Sequence, residues 1–111
     1  MKPKIRAYSR YSRDASELLG QLIRRARIEH KMTVAQLADR AGISRGLVQR
    51  IEQGDPGCAI GAVFEVAAIV GVRLFDADQA RLTTMLSDSK AALTLLPRAA
   101  RAPKAEAKDD F

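Results

Sequence analysis

The 111-residue chain has one cysteine, one histidine, no tryptophan and only 5% aromatic residues. A lone Cys58 cannot close an internal disulfide, and with His30 as the sole imidazole there is no zinc ligand set. Cys58 reads as a small buried or half-buried residue, and His30 as a surface residue near a helix end. No apolar run approaches the ~20 residues that span a bilayer. No apolar signal core follows the charged start Met1-Lys2-Pro3-Lys4-Ile5-Arg6. The expectation is a cytoplasmic protein with no membrane segment. No pair of acids sits where other residues would enclose it, and no nucleophile can be matched to a suitable base. Gly54-Asp55-Pro56-Gly57 is a turn and not a phosphate-binding glycine loop. The chain therefore reads as a non-enzyme without a metal or cofactor.

What is present is a small helical protein. The length suits one domain with a modest core. Apolar residues make up 47% of the chain, and with few aromatics among them the core must be Leu, Ile, Val and Ala, which suits close helix packing. The net charge is +6 and the isoelectric point about 10.0. Residues 1–13 carry five basic residues and no acid, and residues 14–54 carry seven basic and five acidic; residues 55–96 carry three and five. Positive charge collecting toward the N-terminal half suits a phosphate backbone.

The informative stretch is Thr33 to Gly54. Thr33 and Gln36 form a capping-box pair at the start of a short helix. Leu37, Ala38 and Ala41 share one face, and Gly42 supplies a left-handed stop. Ser44 caps a second short helix with Leu47, Val48 and Ile51 inside and Gly54 at its end. Two short helices around a glycine turn make a helix-turn-helix, whose second helix enters the DNA major groove. Its outward residues here are Arg45, Gly46, Gln49, Arg50 and Gln53.

Around it, residues 1–13 read as a flexible basic arm with three open roles: lying along DNA, a solvated tail, or a strand given to a dimer. A first helix is expected from about Asp14 to His30, opened by Asp14 and Glu17. Its buried face would be Leu18, Leu22 and Ala26 with Leu19 and Ile23 beside them. Arg24, Arg25 and Arg27 would complement its dipole, and they either touch phosphate or form a solvated face. A fourth helix spans roughly Ile60 to Val70, with Ile60, Val63, Phe64, Ala67 and Val70 inside and no side-chain cap, so that its free N–H groups could receive a phosphate. Val72 to Phe75 is an extended connector or a small strand. Asp76 with Gln79 would open a long helix to about Leu96, ended by Pro97. Its apolar residues Leu82, Met85, Leu86, Leu93 and Leu96 either pack back or, the favoured reading, meet a partner. Thus residues 14–75 form the DNA-binding domain and 76–96 a C-terminal contact helix. Residues 97–111 lack an apolar period and should be disordered.

The segment from Leu18 to Phe75 resembles the Cro/C1-type helix-turn-helix family, also called the Xre family. The residues that carry the likeness are Leu22 to Arg27, Met32-Thr33, Gln36-Leu37-Ala38, Ala41 to Ser44, Val48, Ile51 to Gly54 and Ala67 to Gly71. The resemblance implies an all-α, five-helix, lambda repressor-like fold that binds double-stranded DNA as a homodimer on a pseudo-palindromic operator. It implies base contacts by Arg45, Gly46 and Arg50, and phosphate contacts by Ser44 and Gln49. Thr33 and Arg25 join the phosphate set on position and charge. Val34 departs from the family pattern, which commonly has Gln there to brace a backbone contact. Glu52 to Gly57 with Ile60, and Val66 to Phe75, look like the antitoxins that accompany HipA-type kinase toxins. That likeness implies a repressor of its own operon.

Overall fold

The computed structural model describes residues 7–100 and Ala102. They are all-α: α1 is Arg10–Glu29, α2 Val34–Ala41, α3 Arg45–Glu52, α4 Ile60–Ile69 and α5 Gln79–Thr94, with a single 3-10 turn at Leu74–Asp76. The chain divides into two compact units, Met1–Asp76 and Ala77–Phe111.

In the first unit, α1 to α4 enclose one apolar core. Ile23, Met32, Leu37, Ala38, Val48, Ile51, Val66, Ala67 and Val70 are buried together. Each fully buried aliphatic side chain contributes about 1.5–3 kcal/mol. The two middle helices end and begin as their residues dictate. Thr33 Oγ1 accepts the Gln36 N–H at 3.0 Å and Gln36 Oε1 accepts the Thr33 N–H at 2.8 Å. Gly42 is left-handed at φ 69°, and Ser44 Oγ accepts the Leu47 N–H at 3.1 Å.

Helices α1 to α4 close with the same double hydrogen-bond pattern. At α1 the Met32 N–H reaches the Arg27 carbonyl and the Lys31 N–H the Ile28 carbonyl; Ile43 and Gly42, Asp55 and Gly54, and Val72 and Gly71 repeat it at the next three. The left-handed residue is glycine in three cases and Lys31, at φ 54°, in the fourth.

Three expectations change. First, α1 starts at Arg10, where Ser9 accepts the Ser12 N–H. Asp14 is already helical and faces Arg10 one turn back at 3.8 Å, so Asp14 and Glu17 do not open the helix. Residues 10–13, read as arm, are helical, while the rest of the arm before Ala7 lies outside the described residues. Second, the buried line of α1 is Gly20 and Ile23, with Leu19 and Ala26 partly covered; Leu18 is 56% exposed and Leu22 also faces out. On α4, Val66 is buried along with the expected Ala67 and Val70, while Ile60 at the helix start is exposed. Third, Val72 to Phe75 forms no strand; it runs into the 3-10 turn, in which Phe75 (φ 56°) and Asp76 (φ 52°) are left-handed.

In the second unit, α5 is capped by Asp78, whose Oδ1 accepts the Arg81 N–H at 2.9 Å. Asp76 does not cap it, because a cap needs extended backbone. No residue of α5 is buried. The tail expected from residue 97 falls mostly outside the described residues.

Gly20 explains the turned face of α1. A Cβ there would run into the Ile51 carbonyl and lie 2.9 Å from that of Glu52. Gly20→Ala is therefore expected to lower stability by about 1–3 kcal/mol, despite alanine's better helix propensity. Lys31→Gly should raise it by about 0.5–1 kcal/mol by relieving a left-handed lysine. Urea unfolding of both variants checks the opposite signs.

Candidate nucleic-acid interface

The position of α3 is fixed from α1. Gly20 lets the C-terminal carbonyls of α3 come close, and Gly54 (φ 81°) brings the following turn against Glu17, where a Cβ would lie 2.6 Å from Glu17 Cα. Two turns beyond Gly20 on α1, the Arg27 Nε donates to Glu52 Oε2 at 2.6 Å and Nη2 to Oε1 at 3.0 Å. Arg27 Nη1 also donates to the Met32 carbonyl at 2.9 Å, just before the Thr33 cap. The two side chains are only 11% and 6% exposed. The hydrogen bond to Glu52 holds the guanidinium above its ordinary pKa against the opposing pull of burial. One guanidinium thus ties α1, the entry to α2 and the end of α3. Arg27 is therefore neither a solvated nor a phosphate-facing residue, and Glu52 is withdrawn from the outer face of α3.

What remains outward on α3 is polar or open. Arg45, Gly46, Gln49, Arg50 and Gln53 are all exposed. A Cβ on Gly46 would meet only Ser44 Oγ, at 3.9 Å, so nothing within the chain requires glycine there. On one side of α3, Gln49 and Gln53 share a groove of about 360 Å³ with Arg24, Arg27, Val34 and Glu52. On the other, Ser44 and Arg45 share a groove of about 500 Å³ with Gln36 and Asp39 of α2. Thr33 and Ser44 are both exposed, and each hydroxyl accepts a backbone N–H as a cap, which leaves its proton to donate outward. The start of α4 carries no side-chain cap.

Arg25 lies apart from this surface. It borders a groove with Leu22, Glu29, Val72 and Arg73. Besides Arg27, which is held by Glu52, the arginine that shares the groove with Gln49 and Gln53 is Arg24, one residue and about 100° of helix away from Arg25. Charge alone does not separate Arg24 from Arg25; the helical position of Gly20, one turn before Arg24, does. Val34, where a brace was expected to be missing, is partly covered by the core and lines the Arg24 groove. Arg50 is paired: its Nε donates to Asp55 Oδ2 at 2.8 Å. Cys58 is half-buried; burial, and then the Asp55 carboxylate, push its thiol pKa up, which works against thiolate chemistry. On α5, Leu82 and Met85 are half-buried, while Leu86 and Leu93 are 61% and 63% exposed.

A capped helix, a left-handed glycine turn and a second capped helix with an outward face of long donors define a DNA-binding regulator of the helix-turn-helix class. The sequence model of the helix-turn-helix domain family matches residues 18–82, and the chain belongs to that family. Such domains are typically not enzymes. No curated protein and no solved structure matches the chain. Among the described residues no helix is long and apolar enough to cross a membrane.

The buried ion pair sets a measurable stake. Arg27→Met leaves Glu52 charged, enclosed and unpaired, and is expected to cost about 3–5 kcal/mol. Adding Glu52→Leu to the same variant should recover most of that loss in urea unfolding. A double variant as unstable as the single one would show that the pair is not the source of the effect.

Proposed function

We propose that the protein is a sequence-specific transcriptional repressor. It binds as a homodimer to a pseudo-palindromic operator in the cytoplasm and serves as the antitoxin of a HipA-type kinase toxin encoded beside it. The observation that carries the reading is the outer face of α3, where five neighbouring positions offer two arginines, two glutamines and one glycine, and no acid. Arg45 and Arg50 have the donor geometry for guanine O6 and N7, a contact worth ~1–3 kcal/mol of discrimination. Gly46 leaves room for a base edge. Ser44, Thr33, Gln49 and the uncapped start of α4 face the phosphates on either side, with Arg24 taking the place first given to Arg25. Paired recognition helices would sit about 34 Å apart, one turn of DNA. Lys2, Lys4 and Arg6 add salt-dependent affinity. The dimer and toxin readings draw on α5, whose exposed Leu86 and Leu93 follow Leu82 and Met85 at helical spacing, and on the likeness of the Glu52–Gly57 loop to such antitoxins.

Binding to the protein's own upstream DNA, by gel shift with and without competitor, tests the central reading. Within it, Arg45→Ala is expected to lose ~1–3 kcal/mol of operator preference while keeping non-specific binding. Gly46→Ala should separate stability from function. Its thermal midpoint rises, since alanine favours a helix by about 0.5–1 kcal/mol, while operator affinity falls because the added methyl stands where a base edge would approach.

Leu86→Glu is expected to give monomers in analytical ultracentrifugation, or to lose a co-expressed neighbouring toxin. A folded variant with unchanged assembly would remove α5 from the interface, and a chain with no toxin neighbour would leave a stand-alone regulator.

A further inference from the structure

The turn after α3 holds a side chain that the helix-turn-helix pattern does not call for. Asp55 is fixed from several directions. Its backbone N–H bonds the Arg50 carbonyl at 3.0 Å, which registers the residue to the last turn of α3. Its Oδ1 accepts the Gly57 N–H at 2.8 Å, which sets the carboxylate's orientation. Only the second oxygen, Oδ2, is left, and it accepts Arg50 Nε at 2.8 Å. Among the described residues the terminal nitrogens of Arg50, Nη1 and Nη2, make no hydrogen bond. Arg45, by contrast, has no hydrogen-bond partner among the described residues, although Asp39 lines the same groove.

Stability does not account for this arrangement. The pair is open to water, with side chains 53% and 37% exposed, and such pairs contribute little to folding. On a DNA-facing surface an added carboxylate also weakens attraction to phosphate. The Gly57 N–H needs only one oxygen, which an amide would also supply; the second, charged oxygen costs affinity and adds little stability, and it is accounted for if it sets direction. Held at Nε, a guanidinium keeps its flat end free, and that end is what pairs with two acceptors at once.

We propose that Asp55 is a positioning residue for base reading, bracing Arg50 by its Nε so that Nη1 and Nη2 present a preset fork to a guanine edge in the major groove. This rests on the sequence-specific reading of α3 given above. The brace stays charged at neutral pH: the Gly57 N–H, and then Arg50, hold the Asp55 carboxyl below the usual carboxylate range. Within the recognition face the two arginines then differ. Arg50 is ordered before it meets DNA and discriminates sharply, while Arg45 must give up side-chain freedom on binding and tolerates more than one base.

Asp55→Asn isolates the brace. An amide keeps one acceptor for the Gly57 N–H, so the turn survives, and puts a donor where Arg50 Nε needs an acceptor. The full-length wild type, Asp55→Asn, Asp55→Glu and Arg50→Ala are each selected against a randomised duplex library, and affinities are then measured on the enriched duplex and its single-base variants. The expected result is a guanine position that Arg50→Ala and Asp55→Asn both relax by about tenfold, the scale of a lost bidentate contact. Other positions stay as they were, the Asp55→Asn melting curve is unchanged, and Asp55→Glu is partly restored. An Asp55→Asn protein with the wild-type base profile, binding every duplex more tightly by one common factor, would overturn the proposal, since Asp55 would then act only as a negative charge. An Arg50→Ala profile equal to wild type would overturn it as well. A wild type that enriches no duplex defeats the sequence-reading function itself, and the brace with it.

Discussion

The contact between Arg27 and Glu52 is the constraint on which the recognition helix depends. α3 has eight residues, too few to hold itself in water, since helices below about 12 residues are marginal alone. Its direction must come from outside. Val48 and Ile51 supply burial, but apolar contact is non-directional and would tolerate rotation or sliding. A two-point guanidinium–carboxylate contact does not. Because the same guanidinium also takes the Met32 carbonyl, the entry to α2 and the end of α3 are referenced to a single side chain of α1. The motif's two helices are thereby held relative to a third.

Two glycines make that contact reachable. Gly20 removes the side chain that would keep α1 away from the last carbonyls of α3, and Gly54 turns the chain against Glu17. Three residues at one-turn or two-turn spacing on α1, Gly20, Ile23 and Arg27, thus form the seam. Polar, apolar and absent side chains all serve it. Energetically the seam is costly to break at any of them: overpacking at Gly20, a cavity at Ile23, or a stranded charge at Arg27. The outer face of α3 carries no such obligations, so its residues are free to serve binding.

Much of the fold was legible because its signals are local. The Thr33–Gln36 box, Gly42, Ser44 and Gly54 act within four residues of chain, and each does in the structure what its chemistry suggests. The five helices and the identity of the outward residues on α3 follow from the same short-range rules. The misplacements have separate causes. Leu18 and Leu22 seemed buried because the apolar pattern on α1 is broad enough to fit two orientations. Asp14 and Asp76 seemed to be caps because both sit three residues before a Glu or Gln. Ser9 and Asp78 do the capping instead, for reasons set by where the neighbouring backbone is extended. Val72 to Phe75 is β-prone in composition, but it has no neighbouring strand and bends into left-handed turns.

The candidate site divides along the same line. Sequence alone determined that two capped helices flank a glycine turn, and that arginine, glycine and glutamine occupy the outward positions of the second. Those are consequences of 3.6-residue periodicity and cap chemistry, which need no partner from elsewhere in the chain. Only the tertiary structure decided that Glu52 and Arg27 neutralise each other inside the domain, 25 residues apart in sequence. It decided that Arg24 and not Arg25 borders the recognition helix. Each of these depends on which face of one helix meets another, and a residue's charge carries no information about direction until packing has set the rotation of the helix that bears it.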